Sequence, residues 1–458
     1  MTATPGEKIP ALTPRDSNGH QFVVYADSCS GVPGALHEHT LAAVNAVIQR
    51  LEPQPEFICF PGDEISGLTS DEATLRRQWD YWLNHEMVWL DRESITLYHA
   101  TGNHTTYDPM SEAVFRDVLA HLPGNGPPGQ EGLSYFVRRD DLLLVFVHTL
   151  WSGLGGEGRV ETAWLDEVLR DQADARHKLV LGHHPVHPVN GFSGAFQREI
   201  EPENGRRFWD VLVRHGVLAY VCSHILAFDV QVHEGVLQIL TAGAGTAHRM
   251  PEEIEYLHCV QAALDEAGLR YQVLDTEGRV REWLTWPLRL PPSSAWDTFD
   301  GDALTGDEQQ RLIVWGFSGT SADSGDGSPQ TLLSRWGGDS ALSPVWIGLT
   351  GAEQRLAIFL SPAPGRSPHQ WYGPALGRDE AFSIQVAIHT GMGPGGLLWR
   401  WDDDAPWSSL RGASPWGAER LTWPGQWGVG FDRHEGARPF RGRGLQVKQH
   451  RQGIAPPG

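Results

Sequence analysis

The chain of 458 residues has only four cysteines, Cys29, Cys59, Cys222 and Cys259, with no CxxC or other paired spacing among them. A disulfide framework is therefore not expected. Cys59 and Cys222 fall inside apolar segments and read as inert core thiols. Basic charge is also scarce, with 36 Lys and Arg against 57 Asp and Glu and a net charge of −21. The basic residues come as scattered pairs such as Arg76-Arg77, Arg138-Arg139 and Arg206-Arg207. No run of them resembles a footprint for a nucleic-acid backbone, so DNA or RNA is not an expected partner. Long apolar runs are missing too. The opening MTATPGEKIPALTPRDSNG offers no signal-peptide stretch, and DLLLVFVHTLW has the length of a buried strand. A cytoplasmic protein without a membrane span is the expectation.

The length exceeds what one hydrophobic core normally supports, which implies two domains. From about residue 20 to 288, short apolar runs alternate with longer helical periods. Strands are predicted at 21–26, 56–60, 95–99, 134–138, 142–148, 177–182, 217–222, 228–233 and 236–241. Hairpins are predicted around Asp140-Asp141, Glu234-Gly235 and Glu277-Gly278. One helix carries Trp79, Trp82, Leu83 and Met87 on a single face, with a start capped near Ser70 and Glu72. Strands alternating with helices imply parallel pairing. Residues 1–19 form an N-terminal extension. A stretch rich in Pro, Ser, Asp and Gly at 289–310 reads as a linker. Beyond it, over 311–458, Trp recurs at 336, 346, 371, 399, 401, 407, 416, 423 and 427 among short strands punctuated by Gly and Pro. That composition predicts an all-β sandwich of jelly-roll or lectin-like type, with the tryptophans mostly in its core.

Five apolar segments in the first region end in short polar groups: FVVYADSC, FICFPGDE, LYHATGNHT, KLVLGHHP and AYVCSHIL. They place Asp27, Asp63, Asn103, His183 and His224 at strand ends, where open α/β sheets gather their ligands. Carboxylate, amide and imidazole donors together suit Mn, Fe or Zn rather than Ca alone. Taken singly, Asp27 also fits an Asx cap, and the glycines before Asp63 and Asn103 also fit plain turns.

In this order the blocks resemble those of the calcineurin-like metallophosphoesterases, which carry D-x-H, G-D, G-N-H-(E/D), a strand-end His often within H-H-P, and G-H-x-H. Here they read Asp27-Ser28-Cys29, Gly62-Asp63, Gly102-Asn103-His104-Thr105, His183-His184-Pro185 and Ser223-His224-Ile225-Leu226. The resemblance covers residues 20–288. It implies a four-layer α/β (α+β) sandwich with two mixed sheets at its centre. It further implies a metal-dependent phosphoesterase acting on a small phosphomonoester or phosphodiester, with one or two divalent or trivalent Mn, Fe or Zn ions. Asp63 would bridge the ions and water or hydroxide on the metal would attack phosphorus. His104 resembles the histidine that stabilises the transition state or protonates the leaving oxygen. The negative net charge does not exclude phosphate esters, because a bound dication reverses the local field.

Two positions depart from the family. Cys29 stands where the first motif has His, and Leu226 where the last does. Cys29 is either a small buried replacement or a thiolate ligand, and a thiolate would favour Zn or Fe. The set Asp63, Asn103, His183 and His224 is complete, so one sound site and one impaired site are expected. The family places the ligand at the first His of His183-His184, which leaves His184, like Asn103, to line the substrate pocket or, for His184, to pack. Glu64 and Tyr107 are near enough in sequence to touch substrate. His37 and His39 are expected to face solvent. His187, His233 and His248 read as structural, with His248 the first candidate to replace a lost ligand. The competing reading is a degenerate phosphoesterase that binds a ligand or partner around one occupied metal site without turnover. A weaker third reading makes the sandwich a carbohydrate-binding module.

Overall fold

The computed structural model describes residues 6–151, 158–192, 199–245, 250–251, 254–299, 311–336, 345–361, 367–393, 396–413, 425–432 and 438–454. His248, Trp416, Trp423 and the second half of the linker, 300–310, lie outside the described residues.

Two six-stranded mixed sheets form the first half of the chain. One runs in the order Val280–Trp286, Gly268–Asp275, His258–Asp265, His20–Val24, Phe57–Phe60, Thr96–His99. Its last three strands are parallel to one another. The other runs Phe228–His233, Val236–Thr241, Ala219–Cys222, His177–Leu181, Leu142–Phe146, Tyr135–Arg139. Its four middle strands are parallel. The three predicted hairpins are present as antiparallel pairs.

Side chains from the two sheets meet in one buried core, Phe22, Val24 and Tyr271 against Leu179, Val221 and Ile239. The helices α1 (Leu36–Ile48), α2 (Glu72–Tyr81) and α3 (Pro109–Val118) contribute Leu41, Leu75, Trp79 and Phe115 to that core. A second core packs α4 (Thr162–Asp171) and α5 (Pro202–Arg214) on the other sheet through Leu165, Leu169, Phe208 and Leu212. This is the expected four-layer sandwich.

Three local expectations need correction. The strand His258–Asp265 was not predicted. Its run HCVQAALD is buried along its whole length, so it shows no in-out alternation, and its two alanines are weak strand formers. Asp71 rather than Ser70 caps α2, its carboxylate accepting from Thr74 N at 3.1 Å. The helix also changes register at its end. Residues Trp82–Glu86 form a π turn in which Met87 N donates to Trp82 O at 2.9 Å, and that turn keeps Trp79, Trp82 and Met87 all buried.

The second half of the chain is all-β among the described residues, apart from a single 3₁₀ turn at Ser293–Ala295. Two six-stranded antiparallel sheets face each other across a core containing Ile313, Trp315, Val386, Ile347, Ile358 and Trp371. The predicted linker is partly structured, since Asp297–Thr298 pairs with the strand Arg443–Gly453. Trp336, Trp346, Trp371 and Trp407 are buried, Trp399 and Trp427 are half-buried, and Trp401 is exposed.

Candidate metal centre

Asp27, Asp63 and Asn103 follow neighbouring parallel strands of one sheet, and His183 and His224 follow neighbouring parallel strands of the other. Parallel strands deliver their carboxyl ends to one rim, so the five residues meet there. Backbone hydrogen bonds tie the turns together: Asp27 N to Gly62 O at 3.2 Å, Cys29 N to Asp63 O at 2.8 Å and Ser223 N to His183 O at 2.9 Å.

These turns are sterically demanding. Asp27, Cys29, Asp63 and His224 have φ of 62°, 43°, 59° and 68°, four of the nine non-glycine residues with positive φ among those described. Such strain concentrates where a site fixes side-chain directions. Two glycines are required by the same crowding. A Cβ on Gly102 would overlap the Asp63 carboxylate, and one on Gly62 would stand 2.8 Å from His183 Nδ1.

The donors converge on His183. Its Nε2 lies 3.0 Å from Asn103 Oδ1, 3.0 Å from His224 Nδ1 and 3.2 Å from Asp63 Oδ2. Its Nδ1 faces Pro61 O at 3.0 Å and Ser223 Oγ at 2.9 Å, and Ser223 Oγ donates to Pro61 O at 2.6 Å. An imidazole whose Nδ1–H is held by a carbonyl presents its Nε2 lone pair to a metal. Asp27 Oδ2 accepts from His224 N at 3.0 Å and also groups with Asp63 and His183.

Electrostatics describe the same crowding. Burial alone would raise Asp63, but the nearby His183 and His104 charges outweigh it and hold the carboxyl below its usual range. Burial raises Asp27, only partly offset by His183, and Asp63 repels its charge further. Burial would lower His183, yet the Asp63 charge and hydrogen bond push it up to about 9. Carboxylate, amide oxygen and two imidazole nitrogens crowded within about 3 Å repel one another unless a proton or a cation lies between them. A dication fits this donor set, because all four groups can offer it a lone pair.

The remaining residues separate by position. His104 N donates to Asp63 Oδ1 at 2.8 Å, its Nδ1 lies 2.7 Å from Ser66 O, and its Nε2 is 4.0 Å from Asp63 Oδ2. Cys29 groups with Asp63 and His104, whereas Leu226 packs beside Asp27 and Gly245. His184 is buried against the rings of His183 and His224, at 4.9 and 4.4 Å, with Nδ1 2.9 Å from Thr149 Oγ1. Glu64 does not reach the opening: it is fully buried, 2.8 Å from His99 Nδ1. Tyr107 is half-buried. His39 is exposed, but His37 is half-buried, with burial and the neighbouring His104 charge both lowering its pKa. His187 and His233 stack on each other with centroids 3.6 Å apart and next to Trp209, as a structural pair would.

Sequence reasoning missed the supports of the Asp27–Gly31 turn. Trp82 Nε1 donates to Ser28 Oγ at 3.1 Å, and Glu86 accepts from Gly31 N at 2.9 Å and from Ser30 Oγ. Both supports come from the π turn, which no periodicity signals.

No family model matches this chain. An Arabidopsis thaliana protein named "Putative metallophosphoesterase At3g03305" is 24% identical over 194 residues. That match covers 37% of this chain and 25% of the relative, so the aligned part spans about a quarter of that protein. Among solved structures, the purple acid phosphatase PPD1 of yellow lupin (Lupinus luteus) shares 14% identity. The match covers 60% of this chain and 55% of that one, at a TM-score of 0.43. A dimetal phosphatase from Danio rerio shares 17% identity and covers 56% of this chain and 96% of that one, at a TM-score of 0.41. In block order, two-sheet architecture and curated relative, the chain is similar to the calcineurin-like metallophosphoesterases.

Proposed function

We propose that this protein is a metal-dependent phosphoesterase that hydrolyses a small phosphomonoester or phosphodiester. The single observation behind this reading is the convergence of Asp63, Asn103 and His224 on His183 Nε2 at 3.0–3.2 Å. In the proposal these four residues hold a Mn, Fe or Zn ion. When bound, such an ion polarises a phosphoryl oxygen and lowers the pKa of water.

The chain's own residues do the rest. Asp63 stays ionised at neutral pH and supplies the negative charge that retains the cation. Neutral Asn103 and the imidazoles add donors without further charge, which leaves the cation electrophilic. His104 Nδ1 lies against Ser66 O, which leaves Nε2 on the Asp63 side, where the imidazolium form would donate a proton to the leaving oxygen. Asp27 orients the His224 turn through the backbone N–H. We assign these roles to residues 20–288 and treat the sandwich of residues 311–458 as an accessory module.

No helix among the described residues is long and apolar enough to cross a membrane. The four cysteines form no disulfide with one another, and a cytoplasmic location is part of the proposal. A small phosphorylated substrate, and no nucleic acid, is the proposed partner. The intact four-donor set favours turnover over a degenerate binding protein. A screen of phenyl phosphate against its diester analogue, run beside elemental analysis, tests the proposal. Bound transition metal with turnover of either ester is expected; neither ester cleaved by metal-loaded protein contradicts it.

A further inference from the structure

The loops around the candidate metal centre leave apolar side chains in solvent. Val32 stands between the Asp27 turn and α1, Leu36 opens α1, Leu68 follows the Asp63 turn, and Trp151 follows the strand Leu142–Phe146. They are 38%, 65%, 51% and 41% exposed, and they are four of the eight exposed large hydrophobic side chains among the described residues. We infer that these four residues form the subsite for the alcohol part of the substrate, and that the substrate is a single phosphate esterified to an apolar aliphatic alcohol. The inference rests on the phosphoesterase reading and adds the substrate class to it.

Each residue is tied to a group of the centre. Leu68 N donates to His104 O at 3.2 Å, and Ser66 O, two residues earlier, lies 2.7 Å from His104 Nδ1. Leu36 precedes His37, which is close enough to His104 to feel its charge. Val32 comes three positions after Cys29, in a turn held by Glu86 at Gly31 N and closed by Ala35 N on Val32 O at 3.1 Å. Trp151 comes two positions after Thr149, whose Oγ1 accepts from His183 N at 3.3 Å and His184 N at 3.2 Å. The Arg159 guanidinium covers one face of the Trp151 ring, 4.4 Å from its centroid, and Arg159 N donates to Thr149 O at 2.9 Å. That stacking holds the indole at the rim while leaving the rest of it open.

The distribution of charge agrees. Residues 28–37, 65–70, 103–107, 148–151, 183–190 and 223–228 contain no Asp, Glu, Lys or Arg, although 20% of the chain is charged. A substrate with several phosphates needs further cations beside the metal, most often arginines that grip two oxygens at once. An uncharged rim with exposed apolar side chains instead favours a ligand that buries hydrocarbon against it. Three of the four side chains are aliphatic and branched, so they offer no flat face for a planar base and suit a flexible chain.

Calorimetric titration of the metal-loaded full chain with methyl-, butyl- and octylphosphonate reads the subsite without turnover, because the C–P bond is not hydrolysed. A fully buried methylene is worth about fourfold in affinity. On a partly open rim octylphosphonate, kept below its micelle concentration, is expected to bind roughly tenfold or more tightly than methylphosphonate. In a Leu36→Gln, Leu68→Asn, Trp151→Gln variant that preference should fall to about threefold or less; asparagine suits the φ of 49° at position 68. Val429→Thr, which changes an exposed apolar residue of the sandwich, should keep it. Equal affinity for the methyl and octyl ligands, or tighter binding of adenosine 5′-monophosphate than of octylphosphonate, overturns the inference and leaves the phosphoesterase reading standing. An octyl preference lost in the triple variant upholds the apolar subsite even if neither phenyl ester is hydrolysed. Metal-loaded protein that binds no phosphonate overturns both.

Discussion

His183 Nε2 stands 3.0 Å from Asn103 Oδ1, although the two residues are 80 positions apart in sequence. They follow strands of different sheets, so the contact closes the seam between the two mixed sheets. The candidate centre is thus a junction of the fold as well as a chemical site, and several consequences can be measured.

Ser223 touches no proposed substrate position but fixes His183 through Pro61 O and Nδ1. Ser223→Ala should keep the fold and weaken metal affinity by about 10- to 100-fold, the usual effect of removing an outer partner of a ligand. Metal titration followed by calorimetry reads this directly. Affinity equal to wild type would mean that Ser223 does not position the ring.

Glu64 and His99 form a buried pair at 2.8 Å. Burial raises Glu64 well above its ordinary value and lowers His99 to about 3, so the pair is neutral. Glu64→Gln should therefore cost little, within about 1 kcal/mol. Glu64→Ala should cost roughly 2–4 kcal/mol by opening a cavity and stranding the imidazole. Denaturant unfolding of the two variants separates a neutral pair from an ionic one, for which Gln would be nearly as harmful as Ala.

Glu282 is buried, with Tyr256 OH donating to Oε1 at 3.1 Å and no partner on Oε2. Burial pushes its carboxyl up to about 8. The folded state therefore binds its proton more tightly than the unfolded chain does. Stability from this group is complete below the ordinary carboxylate range, near pH 4, and is lost as pH rises towards 8. Glu282→Gln should flatten that decline and gain on the order of 1–3 kcal/mol at pH 9 relative to wild type. Melting curves at pH 6 and pH 9 provide the comparison, and parallel losses in both proteins would count against it.

Asn190 links the two halves of the chain, with Nδ2 donating to Leu410 O at 3.0 Å and Oδ1 accepting from Gly412 N at 2.7 Å. Asn190→Ala strands one buried backbone carbonyl and one half-buried backbone N–H, so a loss of about 1–3 kcal/mol is expected. Faster limited proteolysis between the first domain and the sandwich should accompany it.

How much of this could be read in the residues depends on which forces were local. Strand pairs joined by tight turns, such as Phe228–His233 with Val236–Thr241, were predicted with the observed bounds, because alternation and a Glu234-Gly235 turn lie in one short window. The ligand blocks were legible as strand ends, and the strands that carry them are present as neighbouring parallel pairs. His258–Asp265 escaped because burial on both faces erases alternation. The π turn at Trp82–Glu86 escaped because it is imposed by tertiary packing of Trp82 and Met87. Glu64 looked available to substrate because adjacency to Asp63 says nothing about which way a side chain turns. The grouping of His104 with Cys29 needed coordinates for the same reason.

The most direct test is elemental analysis of wild type and Asn103→Ala, each assayed for hydrolysis of aryl phosphates. The account predicts at least one transition-metal ion per wild-type chain with measurable turnover. In Asn103→Ala it predicts loss of that ion and a fall in turnover of about 100-fold or more. Wild-type protein that binds no transition metal, or an Asn103→Ala variant that hydrolyses at the wild-type rate, would contradict it.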